Sequence, residues 1–182
     1  MDLPPGFGSL TVREFTERLA SAEPVPGGGS ASAVAASLGA SLVAMVAALS
    51  SGRSRYADHE DLHAEAAAAA DSLRQRLLAL ADEDAAAYAG FSAAMKLPRN
   101  TGEEQAARRS ALAAAGRTAS EVPLACLEAC HEVAVWAEAL AGRSNRNASS
   151  DLEVASLLAS AGVLPELMKY QPAALTIATE AL

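Results

Sequence analysis

The fold is decided by the stretch Pro24-Val25-Pro26-Gly27-Gly28-Gly29-Ser30 and by the uncharged segment that follows it to about Ser50. From Ala31 to Leu49 there is no charged residue, and Ala, Ser and Gly alternate with Val, Leu and Met on every side of a helix. A helix of this kind is buried among other helices or lies in a membrane. Because its small residues recur at helical spacing, neighbouring backbones can approach closely. We therefore predict a buried, alanine-rich central helix.

The glycine run leaves several backbone N–H groups accessible at the positive end of this helix, an arrangement suited to an anion. The alternative is a tight turn in which Ser30 is the N-cap residue. The pattern matches neither a Walker loop nor a dinucleotide fingerprint, because no Lys follows the glycines and no strand-like run precedes them.

Composition excludes several classes of function. The 182 residues are enough for one domain with a substantial core, and we predict a single domain over residues 1–182. A net charge of −8 without a block of Lys or Arg argues against nucleic acid as a partner. The central segment is long enough to span a bilayer but is poor in Leu, Ile and Phe, which disfavours a membrane span.

Cys126 and Cys130 lie one helical turn apart, as two buried thiols on one helix face would. A metal site with His131 is the alternative, but the sequence offers no clear fourth ligand. The N-terminus shows no basic and apolar signal region. Together these features predict a cytoplasmic protein.

Helical patterns fill the rest of the chain, and no alternating β pattern occurs. Thr11 opens a short helix to about Ser21, whose buried stripe should be Val12, Phe15 and Leu19. The remaining predicted helices run from about Asp58 to Ala94, Gly102 to Ala141, Asp151 to Ala161, and onward from Ala173. The fold class is therefore all-α, an antiparallel bundle of long helices around the central one.

The order of four separated motifs resembles the formiminotransferase-cyclodeaminase C-terminal domain family, over about residues 10 to 160. The motifs are the Pro-x-Pro-Gly-Gly-Gly-Ser loop, Asp82-Glu83-Asp84-Ala85 with Lys96-Leu97-Pro98-Arg99, Glu121-Val122-Pro123-Leu124, and Asn145-x-Asn147-Ala148-x-Ser150-Asp151-Leu152. The resemblance implies a homodimer that binds a reduced folate and uses neither a metal nor a redox cofactor. It implies either cyclisation of 5-formiminotetrahydrofolate with release of ammonia or hydrolysis of 5,10-methenyltetrahydrofolate.

Both reactions need a group that transfers protons, which a partly buried carboxylate can do. Asp84 is the first candidate, and its alternative is a solvated acidic face shared with Asp82 and Glu83. Asp151 is the second candidate, and its alternative is a helix N-cap.

The resemblance suggests further binding residues. Lys96 would stabilise negative charge or bind the glutamate tail of the substrate, or it is only the charge at a helix C-terminus. Gly27, Gly28, Gly29 and Ser30 would hold a carboxylate or the pterin edge. Asn145, Asn147 and Ser150 would contact the pterin, or they serve turn chemistry alone.

His59 and His63 lie one turn apart at an acidic helix start, where we predict a surface pair outside the site, with a metal pair as the alternative. Two departures argue against a standard family member. Ala48 and the segment Lys169–Ala173 replace segments in which many family members have Asn. The competing hypothesis is therefore a helical dimer of the same fold that binds folate or serves as structure without turnover.

Overall fold

The computed structural model describes residues 6–162, and this part of the chain contains helices and turns but no strand. Five α-helices follow one another: α1 Val12–Leu19, α2 Gly28–Ser50, α3 Glu60–Met95, α4 Gly102–Leu140, and α5, which begins at residue 149 and runs through 162. Short 3₁₀ segments occur at Phe7–Ser9, Ser54–His59 and Arg146–Ala148. The all-α prediction is confirmed. The predicted terminal helix and the segment Lys169–Ala173 lie outside the described residues.

Two of the helix starts follow directly from the sequence. Thr11 and Thr101 each form a capping box, with Glu14 and Glu104 as the reciprocal partners. The backbone N–H of Thr11 donates to Glu14, which holds the pKa of that carboxyl below its ordinary value. The predicted start of α5 at Asp151 is wrong by two residues, because the helix already begins at residue 149 and Asp151 lies in its first turn.

Helix α2 packs along one side against α3, α4 and α5. Its buried apolar residues are Ala33, Ala36, Ala40, Val43, Val46 and Ala47. Gly39 shows how close the packing is, because a Cβ atom there would lie 2.9 Å from the carbonyl oxygen of Ala155 in α5. Among the described helices, α2 is also the one that is long and apolar enough to cross a membrane, and half of its most apolar window is buried inside the bundle.

The α3–α4 pair extends beyond the start of α2. Ser30 in the first turn of α2 contacts Ala81 of α3, yet α3 continues to Met95. The buried residues of α4 all lie between Val122 and Leu140, so the segment from Gly102 to about 121 stands outside the core. The bundle therefore carries a projecting two-helix arm beside the glycine-rich loop.

The predicted buried stripe of α1 is wrong for Val12, which is 82% exposed, and for Leu19, which is 38% exposed. The stripe faces an open groove of about 460 Å³ between α1, α2 and α3 instead of a filled core. His63 departs from prediction in the opposite direction. It is fully buried, because its ring turns inward from α3 toward the loop after α4. Cys126 and Cys130 are buried, as predicted.

Candidate functional site

The first turn of α2 presents its backbone N–H groups without a side-chain cap. Gly27 is the N-cap residue, in an extended conformation, and its carbonyl accepts the first helical hydrogen bond from Ala31 at 3.0 Å. The N–H groups of Gly28, Gly29 and Ser30 therefore have no partner within the helix. The alternative that Ser30 is the N-cap is wrong, because Ser30 lies inside the first turn.

Asp84 of α3 lies directly against this turn. The Ser30 hydroxyl is 3.2 Å from Asp84 Oδ2 and 3.0 Å from the carbonyl oxygen of Ala81, so it bridges the two helices. A Cβ atom at position 29 would lie 2.5 Å from Asp84 Cγ, so the carboxylate can keep this position only beside a glycine. The carboxylate is half-buried and lies at the positive end of α2, where a negative charge is stabilised.

The two neighbouring carboxylates have different partners. Asp82 Oδ1 accepts the Phe7 backbone N–H at 2.8 Å, which holds the N-terminal segment on α3. Glu83 forms an ion pair with Arg76 at 2.5 Å. Of the three consecutive acidic residues 82–84, Asp84 is therefore the one whose carboxylate contacts the start of α2.

An apolar cleft lies between α3 and α4, along the turns of α3 that follow Asp84. Glu83, the neighbour of Asp84 along α3, lines a cavity of about 300 Å³ between α3 and α4. The other lining residues are Ala86, Ala87, Gly90, Ala115, Thr118 and Val122. The cleft exists because both helices present small side chains there. Thr118 also lines it and is not among the predicted site residues.

The remaining candidates lie elsewhere in the chain. Asn145 accepts the backbone N–H of Asn147 at 3.1 Å, so the turn role of Asn145 is observed. Its own backbone N–H donates to Ser50, the last residue of α2, at 2.9 Å. Since α2 is about 34 Å long at about 1.5 Å per residue, this loop is at the opposite end of the helix from Gly28.

Asp151 and Ser150 belong to the same distant end. α5 runs antiparallel to α2, since Ala155 is beside Gly39 and Gly162 is beside Ser32. Asp151, half-buried in the first turn of α5, is therefore far from Asp84 within one chain, and Ser150 is exposed next to it.

Lys96 is the exposed C-cap residue of α3, at the tip of the projecting arm. The twelve residues from Asp84 to Lys96 span about 18 Å along the helix. One chain thus brings together Gly27, Gly28, Gly29, Ser30 and Asp84. It does not bring Lys96, Asn145, Asn147, Ser150 or Asp151 to them.

Sequence reasoning missed the residues that hold the Asn145–Asn147 loop. Ser50, Tyr56 and His63 come from three different segments and each contacts the backbone of residues 143–146. No pattern in the sequence links them. Over residues 6–162, no group of three or more His, Cys, Asp or Glu side chains is placed to hold a metal ion.

These features define an all-α bundle in which a carboxylate from one long helix faces the bare, glycine-rich start of another. The formiminotransferase-cyclodeaminase family model matches residues 11–169, and the chain belongs to this family.

Among curated proteins, the chain is 40% identical over 156 residues to a methenyltetrahydrofolate cyclohydrolase of Methylorubrum extorquens, covering 86% of this chain and 75% of that protein. It is 35% identical over 162 residues to the formimidoyltransferase-cyclodeaminase of Rattus norvegicus. That match covers 84% of this chain and 28% of the rat protein, so the chain spans little more than a quarter of the longer relative. The solved structure of a formiminotetrahydrofolate cyclodeaminase from Thermotoga maritima matches with a TM-score of 0.73 at 25% identity, covering 89% of this chain and 80% of that one.

Proposed function

We propose that this protein is an enzyme of one-carbon folate metabolism and that it hydrolyses 5,10-methenyltetrahydrofolate to 10-formyltetrahydrofolate. The observation that carries the proposal is the position of Asp84, whose carboxylate faces the uncapped start of α2 in a family whose 40% identical member is a methenyltetrahydrofolate cyclohydrolase. The likeness to a solved formiminotetrahydrofolate cyclodeaminase makes cyclisation with loss of ammonia the second candidate.

Hydrolysis adds a water oxygen to the methenyl carbon and then breaks the bond between that carbon and N5. One water proton ends on N5 and the other is released. Asp84 takes a proton from the attacking water and returns one to N5, which is general acid–base catalysis by a single positioned carboxylate. In the second candidate reaction, N10 attacks the formimino carbon and the N10 proton passes to the formimino nitrogen. The same carboxylate then delivers one further proton to that nitrogen as its bond to carbon breaks and ammonia leaves. Neither route calls for a metal or redox cofactor.

The start of α2 supplies the binding groups nearest to this carboxylate. The N–H groups of Gly28 and Gly29, which have no partner within the helix, are suited to a carboxylate or the polar edge of the pterin. The Ser30 hydroxyl donates to the Asp84 carboxylate and holds it against the start of α2. The apolar cleft between α3 and α4 offers room for the aromatic part of the substrate. The proposal places this enzyme in the cytoplasm.

A second copy of the chain covers the open face of α2 in this proposal. Between Gly28 and Ser50 there is no charged residue, and one face remains partly or fully exposed although it is apolar. Its members recur every three or four residues: Ala31, Ala35, Leu38, Leu42, Met45 and Leu49. Spacing of this kind is the seam of a paired helix. Leu38 is 55% exposed near the middle of this seam, where a two-fold axis would bring it close to its symmetry mate.

Antiparallel pairing of the two α2 helices would also complete the site. The start of one α2, with Asp84, would then lie beside the end of the partner α2, with its Asn145 loop and Asp151 of the partner subunit. The opposed helix dipoles favour this direction. The split of the candidate residues between the two ends of α2 supports a site built from both copies. Sedimentation at micromolar concentration should give a dimer, and a folded monomer would contradict this arrangement.

The composite site makes a specific prediction for mixed dimers. Asp84→Asn and Asp151→Asn are co-expressed with different tags, and the heterodimer is isolated by both tags. One of its two sites then contains both substitutions and the other contains neither, so we expect about half of the wild-type activity. Each variant alone should be inactive or strongly impaired. A heterodimer no more active than the two parents would show that each site is built within one chain.

The activity itself is tested by the loss of methenyltetrahydrofolate absorbance after addition of purified protein. The cyclohydrolase proposal predicts faster decay than the uncatalysed rate. Release of ammonia from 5-formiminotetrahydrofolate, without effect on the methenyl compound, would select the second candidate. If neither substrate reacts while a folate analogue still binds, the protein is a binding or structural dimer and the enzymatic proposal is wrong.

A further inference from the structure

The loop between α4 and α5 is held by side chains from three other segments. His63 Nε2 of α3 is 2.9 Å from the carbonyl oxygen of Arg143. The Ser50 hydroxyl of α2 accepts the backbone N–H of Asn145 at 2.9 Å, and the Tyr56 hydroxyl accepts that of Arg146 at 3.2 Å. Three contacts therefore fix the backbone over four consecutive residues.

His63 is the most unusual of the three side chains. Its ring is completely buried, and its Nδ1 atom has no hydrogen-bond partner within the described structure. Because a carbonyl oxygen only accepts, Nε2 must carry the proton and donate it to Arg143. Burial of an unsatisfied ring nitrogen costs free energy, which a leucine of similar size would avoid. Packing alone therefore does not account for a histidine at this position.

The contact determines where the loop begins. Gly142 has φ +74°, and the chain turns there toward the Arg143 carbonyl that His63 holds. Two residues after Arg143, the backbone N–H of Asn145 donates to the Ser50 hydroxyl. That hydroxyl is fixed in orientation because it donates its own proton to the carbonyl of Val46 at 2.7 Å. The backbone thus reaches Asn147 and the first turn of α5 in one defined path.

We infer that His63 is a positioning residue for substrate binding: it holds the loop that presents Asn145 and Asn147. This inference rests on the proposed function, in which this loop completes the folate site of the partner subunit. His63 is not a catalytic residue, because its buried ring has no access to a ligand. It acts only through the Arg143 carbonyl.

Two substitutions separate the hydrogen bond from the packing. His63→Leu fills the space but cannot donate, whereas His63→Gln restores an N–H donor of similar reach. We expect His63→Leu to raise KM for the folate about tenfold with a smaller change in kcat. Asn145 and Asn147 are displaced, whereas Asp84 is untouched and Asp151 is held by α5, which packs on α2. His63→Gln should return KM toward the wild-type value. His131→Leu, at an exposed histidine of α4, is the matched control and should leave KM unchanged.

Limited trypsin digestion gives a readout that needs no activity. Arg143 and Arg146 are the cleavage sites within the loop, and we expect His63→Leu to be cut there several-fold faster than the wild type or His63→Gln. The inference is wrong if His63→Leu keeps the wild-type KM, whether its loop is protected or opened. If the proposed function is wrong, the wild-type protein will show no turnover. The digestion experiment still tests His63 in that case, because unaltered cleavage in His63→Leu would show that His63 does not hold the loop.

Discussion

Asp84→Asn is expected to abolish turnover while the helical fold remains intact. The amide keeps the shape of the carboxylate and can still accept from Ser30, which lies 3.2 Å from Asp84 Oδ2. It cannot take a proton from water or return one to nitrogen. Loss of general acid–base catalysis by one group costs about 10²- to 10⁴-fold. The measurement is kcat from the decay of methenyltetrahydrofolate absorbance, with circular dichroism to verify the fold.

Asp82→Asn is the matched control for this experiment. Asp82 lies two residues earlier on the same helix, and its carboxylate accepts the Phe7 N–H, a contact that an amide oxygen can retain. We expect activity within a factor of about two of the wild type, because a substitution that keeps its hydrogen bond and lies outside the core usually changes free energy by less than about 0.5 kcal/mol. If Asp84→Asn is as active as Asp82→Asn, the Asp84 carboxylate does not transfer the proton in this reaction.

Gly29→Ala is expected to impair both activity and stability, although alanine favours helices. A methyl group there would overlap the Asp84 carboxyl group, with 2.5 Å to Cγ. Either the carboxylate moves away from the start of α2 or the two helices separate. Overpacking of this kind costs about 1–3 kcal/mol of folding free energy. Displacement of a catalytic group by about 1 Å costs about 100-fold in rate. Thermal unfolding and kcat measure the two effects.

Gly116→Ala separates this steric effect from helix propensity. Gly116 lies in α4, and a Cβ atom there would meet nothing within 4 Å. We expect stability to rise by up to about 1 kcal/mol, with activity unchanged. A Cβ atom at Gly28 would also meet nothing within 4 Å. Because Gly28 belongs to the proposed binding loop, Gly28→Ala serves as a control for stability and not for activity. A Gly29→Ala protein as stable and active as Gly116→Ala would show that the Asp84 carboxylate is not held against α2.

Local signals gave most of the helices. The capping box at Thr11 is recognised within four residues of sequence, and it is present in the structure. The uncharged, small-residue segment before Ser50 gave the central helix for the same reason, since periodicity and composition are local properties. The start of α5 was missed by two residues because Ser149 and Ser150 suit a first helical turn as well as a cap.

Burial of individual side chains was predicted less well. Val12 and Leu19 have the spacing of a buried stripe, but whether a groove is filled depends on what lies opposite. His63 has neighbours in sequence that suggest solvent, yet the turn after α4 brings a carbonyl oxygen to it. Periodicity indicates which residues share a face, and only the packing of elements distant in sequence decides whether that face is covered.

The sequence by itself determined the all-α class, the position of the central helix, the glycine-rich start of that helix and the family. All of these depend on residues close together in the chain or on motif order. Only the tertiary structure decided that Asp84 meets Gly29 and Ser30 while Asn145 and Asp151 lie at the other end of α2. The physical reason is that antiparallel helices of unequal length bring together residues 50 to 100 positions apart. The register of that contact is fixed by close packing at small residues, which the order of motifs along the chain does not specify.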